Sequence, residues 1–155
     1  KDFVYFCSNM LICLYFCYIM RLEGRMRLTD RTIGEIRRAV KTRNIAWCSQ
    51  YILFAAGFKS DLCGTKYLAR ALEIKLRQDV SCKQLYSAVA ESCFTTPSCV
   101  ERCIRHAITE MKASGNLQRI NDLFGFDVLD ERYVSNSHLI AALCTWIRIN
   151  RDMEE

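Results

Sequence analysis

The sequence has few residues that interrupt helices and few strand patterns. Its 155 residues include one proline and six glycines, while leucine, isoleucine, alanine and arginine are frequent. No segment shows a sustained alternation of apolar and polar residues, the pattern of a half-buried strand. These features predict an all-α chain that is long enough to bury a core.

Patterns that support catalysis are also missing. The sequence has no glycine-rich phosphate loop, no Ser-His-Asp order and no site of paired carboxylates. We therefore expect neither enzymatic activity nor a bound cofactor.

Cysteine is abundant, with ten residues, but no CxxC pair occurs. The cysteines are scattered and lie mostly within apolar stretches. That distribution favours reduced, buried thiols of a cytosolic protein over a disulfide framework. Zinc binding is an alternative that the cysteine content alone leaves open.

The charge is unevenly divided along the chain. The net charge is +5, and residues 26–44 hold six Lys and Arg against two Asp and Glu. Residues 45–155 carry thirteen of each sign and are neutral. Any contact of that larger part with nucleic acid must therefore come from the local arrangement of charges.

The N-terminal run 3–20 contains no charged residue. Its length is at the lower limit for a transmembrane helix, and the arginines after it would keep the rest of the chain in the cytoplasm. Three interpretations of residues 1–25 stay open: a membrane anchor, an apolar helix packed on the domain, or a non-native extension.

Helical periodicity begins near Thr29. Residues 26–44 predict a basic amphipathic helix with Ile33, Ile36 and Val40 inward, and its basic face is either solvated or binds phosphate. Further helices are predicted by "IAWCSQYILFAAGF", "GTKYLARALEIKLRQ", "CKQLYSAVAES", "LQRINDLFG" and "SNSHLIAALCTWIRIN". We expect a domain of about six helices over residues 45–150, preceded by an extra N-terminal helical segment.

The stretch "TTPSCVERCIRHAITEM" (residues 95–111) has a marked helix start and two distinct faces. Thr96 suits the N-cap and Pro97 the first helical position. The predicted inner face consists of Val100, Ile104, Ala107, Ile108 and Met111. The outer face carries Ser98, Glu101, Arg102, Arg105, Thr109 and Lys112. Because a short helix and a short turn precede it, the pattern is that of a helix-turn-helix, in which arginine can bind guanine and glutamate can accept from cytosine.

One competing pattern lies on the same helix. Cys99, Cys103 and His106 are spaced so that they fall on one flank, where they could share a metal with a distant ligand such as Cys93. The simpler interpretation is that Cys103 packs inward and that His106 belongs to the polar face. We therefore expect no metal.

Residues 95–116 with the following "LFGF" resemble the C-terminal effector domain of the stage zero sporulation response regulators, transcription factors of spore-forming Firmicutes. The family form SRVERAIRHAIE differs from residues 98–109 only at positions 99, 103 and 109. "AAGFKSDLCGTKYLARALE", "KQLYSAVAE" and "SNSHLIAAL" are similar to other family segments. The resemblance covers about residues 45–148.

The resemblance implies a six-helix module that inserts its fourth helix into the major groove of double-stranded DNA. Glu101 and Arg102 match positions that contact base edges. Arg105 and His106 match positions near the backbone, and Ser98 suits a phosphate at the helix N-terminus. Thr96 and Lys112 are additional candidates for phosphate contacts. Tandem homodimers on adjacent sites and contact with RNA polymerase are also implied.

The sequence departs from the family at several positions. Cys99 replaces an arginine, which removes a positive charge beside the DNA, and Cys103 replaces an alanine. Residues 1–44 are too short for the phosphorylatable receiver domain. We expect a cytoplasmic, sequence-specific DNA-binding regulator, with a tether through residues 3–20 left open. The alternative is a membrane-anchored or protein-binding adaptor that keeps the fold but not operator recognition.

Overall fold

The computed structural model describes residues 27–78 and 80–152, in which all regular structure is helical. Seven helices occur there: α1 (Asp30–Thr42), α2 (Ile45–Ala55), α3 (Cys63–Arg77), α4 (Cys82–Ser92), α5 (Pro97–Ala113), α6 (Leu117–Phe124) and α7 (Asn136–Asp152). The predicted all-α fold is confirmed. The six helices α2–α7 form the predicted multi-helix module, and α1 is the additional helix before it.

The helices begin where short polar side chains can accept a hydrogen bond from the first turn. Thr29, Asn44, Ser81 and Thr96 are the N-caps of α1, α2, α4 and α5, and each accepts from the backbone N–H three residues later. Such caps replace carbonyl partners that the first turn lacks. The predicted cap Thr96 is confirmed, and Thr29 caps the helix whose periodicity was predicted to begin near it.

Helix α3 lies at the centre of the fold and packs on α2, α4, α5 and α7. Leu68, Ala71 and Leu72 on its inner side are fully buried. Its first turn approaches α5 very closely, since a Cβ atom on Gly64 would lie 1.9 Å from the carbonyl oxygen of Cys103. Only glycine fits at this crossing, which fixes the position of α5 against α3.

Helix α1 packs on α2 and α7. Ile36 and Val40 are fully buried, as expected from the periodicity. At its C-terminal end, Arg151 Nη1 donates to the carbonyl oxygens of Val40 (3.0 Å) and Arg43 (2.8 Å). Helix α1 is therefore attached to the rest of the core, whereas the proposed domain limits at residues 25 and 44 stay predictions.

Membrane spanning was one interpretation of the N-terminal run. Within the ranges that the structure describes, no helix combines the length and the apolar composition needed to cross a bilayer. The apolar run 3–20 lies outside the described residues.

Candidate nucleic-acid interface

Helices α4 and α5 pack against each other and are joined by the turn 93–96. Helix α4 begins with a capping box in which Ser81 and Gln84 satisfy each other's backbone N–H groups. In the turn, Phe94 has a φ of 53° and is 99 % exposed. A bulky residue in this left-handed region is strained, so the turn holds a conformation that its sequence disfavours.

The inner face of α5 anchors the helix to the core. The five residues predicted to face inward are all buried: Val100, Ile104, Ala107, Ile108 and Met111. Because these positions follow the helical repeat over almost the whole length of α5, the helix has one fixed rotation about its axis. Its opposite face is consequently presented to solvent.

The predicted site residues lie on this outer face. Ser98, Arg102, Arg105 and His106 are exposed, and Glu101 is partly exposed. Arg105 Nη2 forms an ion pair with Glu101 Oε1, one helical turn away. In the sequence analysis, Glu101 was assigned to base edges and Arg105 to the DNA backbone, and their pairing was not predicted. The pairing reduces the positive charge that this face can offer to phosphates.

Arg102 has no ion pair with a carboxylate among the described residues. Its guanidinium instead lies near the Cys99 sulfur, where its positive charge favours the thiolate. A hydrogen bond with Thr95, the neighbouring Cys103 thiol and Arg102 together lower the pKa of the Cys99 thiol below its ordinary value. The chain thus keeps a cation on the outer face that is available to a DNA base or phosphate.

The two additional candidates occupy opposite ends of the site. Thr96 Oγ1 accepts from the N–H of Cys99 at 3.3 Å, so its hydroxyl keeps a hydrogen to donate to a phosphate. Lys112 is half-buried near the C-terminus of α5. Hydrogen bonds from Arg132 are the main cause of the lowered pKa of Asp130, and the charge of Lys112 adds to them. At 1.5 Å per residue Lys112 lies roughly 21 Å along the axis from Ser98.

Asn136 supports the site, although the sequence analysis did not assign it to the site. Asn136 Nδ2 at the start of α7 donates to the carbonyl oxygen of Glu101 at 3.1 Å. Burial raises the pKa of the Tyr86 hydroxyl on α4, and the nearby Asn136 side chain partly offsets this effect. Asn136 therefore joins α7 to α5 and lies close to α4. Its only sequence signal was its place in "SNSHLIAALCTWIRIN", the segment predicted to form the last helix. The residue that caps this helix is Ser135, whose hydroxyl accepts from the N–H of His138 at 3.3 Å.

The C-terminal half of α5 is held by a second contact. Lys59 Nζ, between α2 and α3, lies 2.6 Å from Glu110 Oε2. The hydrogen bond and charge of Lys59 hold the pKa of Glu110 below its ordinary value. The same contact raises the pKa of Lys59, as expected for an ion pair.

The cysteines of the site do not form a metal centre. Among residues 27–78 and 80–152, no group of three or more His, Cys, Asp or Glu side chains is arranged to hold a metal ion. Cys99, Cys103 and His106 accordingly do not converge on one point. The cysteines described in these ranges are all free.

A short helix, a turn and a second helix with a buried inner face and a polar outer face define the helix-turn-helix class. The family described as sporulation initiation factor Spo0A C terminal matches residues 50–147. The chain belongs to this family of DNA-binding effector domains of sporulation regulators, which is not a family of enzymes. No solved structure matches the chain.

Proposed function

We propose that this chain is a sequence-specific transcriptional regulator that inserts α5 into the major groove of double-stranded DNA. The observation that carries the proposal is the outer face of α5, where Arg102 is exposed beside Glu101 and has no carboxylate partner among the described residues, while the inner face is buried. Arginine binds guanine O6 and N7 in a bidentate manner, and glutamate accepts from cytosine N4. Membership of the family and the polar outer face of α5 together support the assignment.

The remaining site residues have positioning roles in this proposal. Ser98 and Thr96 bind a phosphate at the N-terminus of α5, where backbone N–H groups lack helical partners. Arg105 and His106 contact the sugar-phosphate backbone, and Lys112 contacts a more distant phosphate. Such contacts set the register of the protein on DNA and carry no sequence information.

The test begins by selecting bound sequences from random DNA with the chain, followed by affinity measurements on the selected site and on a scrambled site. Arg102→Ala is expected to reduce discrimination between the two sites by about 1–3 kcal/mol, the value of one bidentate base contact. The control is Arg77→Ala, an exposed arginine on α3 that is paired with Glu73. An equal loss of affinity for both sites in Arg102→Ala would instead make Arg102 a phosphate contact.

The alternative function is a membrane-anchored or protein-binding adaptor that keeps the fold without operator recognition. The pairing of Arg105 with Glu101 favours it, because this pairing reduces the positive charge available to phosphates. Absence of DNA binding even at low salt would support the adaptor and contradict the regulator. Selection of one preferred sequence would exclude the adaptor.

Assembly on DNA is a further part of the proposal. Family resemblance supports tandem homodimers on adjacent sites and contact with RNA polymerase. Footprinting on one and on two adjacent selected sites would show whether a second copy binds more tightly than the first. Equal affinity for single and adjacent sites would contradict tandem binding.

A further inference from the structure

Two thiols lie side by side in the first two turns of α5. Cys99 Sγ and Cys103 Sγ are 3.9 Å apart, and both residues are partly exposed. Cys99 is the third residue of the helix and lies between Ser98 and the residues proposed to contact bases. Neither thiol has a role in the proposed DNA contacts, so their proximity calls for a separate explanation.

The two thiols differ in their surroundings. Thr95, the neighbouring Cys103 thiol and the charge of Arg102 lower the pKa of the Cys99 thiol, although partial burial opposes them, and the positive end of the helix dipole acts in the same direction as the three contacts. Burial raises the pKa of the Cys103 thiol. A partly exposed thiol with a lowered pKa next to a thiol with a raised pKa is the arrangement in which one cysteine attacks an oxidant and the other resolves the product.

We propose that Cys99 and Cys103 form a peroxide-sensitive thiol pair whose oxidation to a disulfide disrupts the DNA-binding face. The Cys99 thiolate attacks the O–O bond of a peroxide, which forms a sulfenic acid and releases an alcohol or water after protonation. The Cys103 sulfur then displaces water from the sulfenic acid and forms the S–S bond. Two thiols are thereby oxidised and the peroxide is reduced by two electrons. The formation of the bond is independent of DNA, whereas its regulatory consequence rests on the proposed function.

Packing determines where the backbone moves when the bond forms. A disulfide requires sulfur atoms about 2.05 Å apart and Cβ atoms nearer than successive turns of a regular helix place them. The carbonyl of Cys103 is pressed against Gly64 and has no room to shift. The N–H of Cys99 is held by a long bond of 3.3 Å to Thr96 Oγ1. The backbone of the first turn of α5 must therefore move when the disulfide forms.

Movement of the first turn would displace the residues proposed to contact DNA. Ser98 lies within that turn, and Glu101 and Arg102 lie between the two cysteines. One bidentate base contact is worth about 1–3 kcal/mol, which corresponds to roughly 5- to 150-fold in affinity. We therefore expect oxidation to lower affinity for the selected site at least about fivefold.

Other cysteines lie near the pair, so the identity of the cysteine that bonds to Cys99 tests the proposal. Cys63 and Cys93, together with the pair, lie close enough to the Tyr67 phenol to raise its pKa, although burial is the larger cause. Oxidation could join Cys99 to either of them. A Cys99–Cys103 bond in peptide maps is the expected result, and a bond to Cys63 or Cys93 instead would overturn the proposal.

The experiment uses the full chain with hydrogen peroxide as the probe. Disulfides are mapped by mass spectrometry, and DNA affinity is measured for the reduced, oxidised and re-reduced protein. The expected result is a Cys99–Cys103 bond, lower affinity and recovery with dithiothreitol. Cys103→Ala is expected to abolish both the disulfide and the reversible loss of DNA affinity. Cys82→Ser, which removes an exposed thiol from the first turn of α4, should keep both.

The possible failures can be told apart. A reduced chain that binds DNA and forms no Cys99–Cys103 bond would overturn the thiol-pair proposal alone. Formation of the bond with unchanged affinity would overturn its regulatory part. A reduced chain that forms the bond but binds no DNA would contradict the proposed function and leave the chemistry of the thiol pair supported.

Discussion

At the scale of single residues, Phe94 is unusual because a bulky apolar residue has a left-handed backbone conformation and an exposed side chain. Its φ is 53° in the turn between α4 and α5, and its side chain is 99 % exposed. The side chain contributes no burial that could offset the left-handed conformation. The turn conformation must therefore be imposed by the packing of α4 and α5 on the core.

Replacement of Phe94 by asparagine should stabilise the protein. Asparagine visits the left-handed region readily, whereas other residues lose about 1–2 kcal/mol there, so we expect an increase of about 1 kcal/mol in the free energy of unfolding. Phe94→Ala is the matched control, since it removes the same exposed ring and keeps the strain. Urea denaturation measures both. Equal stabilities of the two variants would show that φ at this position costs nothing.

Glu110 provides a prediction about pH. Lys59 holds the pKa of Glu110 below its ordinary value of 4.5, so the unfolded chain takes up the proton first as the pH falls. The contribution of this pair is present above pH 4.5 and is lost below it, as the pH falls through the folded-state pKa. Glu110→Gln should therefore show a smaller loss of stability than the parent between about pH 6 and pH 3.

The control for this measurement is Glu91→Gln. Glu91 is exposed on α4 and has no ion pair among the described residues. It should retain the acid dependence of the parent protein in urea titrations. If Glu110→Gln and Glu91→Gln followed the same pH profile, the pair with Lys59 would not contribute to stability.

At the scale of elements, periodicity was sufficient to locate the helices and the buried face of α5. Val100, Ile104, Ala107, Ile108 and Met111 repeat as a helix facing a core must, and Thr96 and Pro97 mark its start. The same local signals could not reveal contacts between distant segments. The bond from Asn136 to Glu101 spans 35 positions and the close approach of Gly64 to Cys103 spans α4 and its turns. Such contacts follow from packing, which a single sequence does not encode locally.

The attachment of α1 to α7 is also a contact between distant segments of the chain, and it can be tested by mutation. Ile36 is fully buried, so Ile36→Ala should lower the free energy of unfolding by about 2–5 kcal/mol. Arg38→Ala on the exposed side of α1 should change it by less than about 0.5 kcal/mol. Urea denaturation of the two variants distinguishes a helix that unfolds with the core from one that does not. Similar small effects in both would contradict the packing of α1 as part of one cooperative unit.

At the scale of the whole molecule, the length of α7 separates α1 from the proposed DNA-binding face. Helix α7 contacts α5 through Asn136 at one end and α1 through Arg151 at the other. These residues are fifteen positions apart, which corresponds to about 22 Å along the helix. The basic side chains of α1 therefore belong to a different part of the surface from Glu101 and Arg102.

This separation predicts how DNA affinity depends on salt. Each neutralised phosphate contributes about −0.9 to the slope of log K against log salt. With Arg105 and Lys112 as charged donors and His106 as a further backbone contact, one module should neutralise about two to three phosphates. Arg105→Gln should make the slope shallower by about 0.9 on a short duplex that carries one selected site. The double variant Arg37→Gln/Arg38→Gln should leave it unchanged, although it removes twice the charge. A shallower slope in that variant would make α1 a second DNA-binding element.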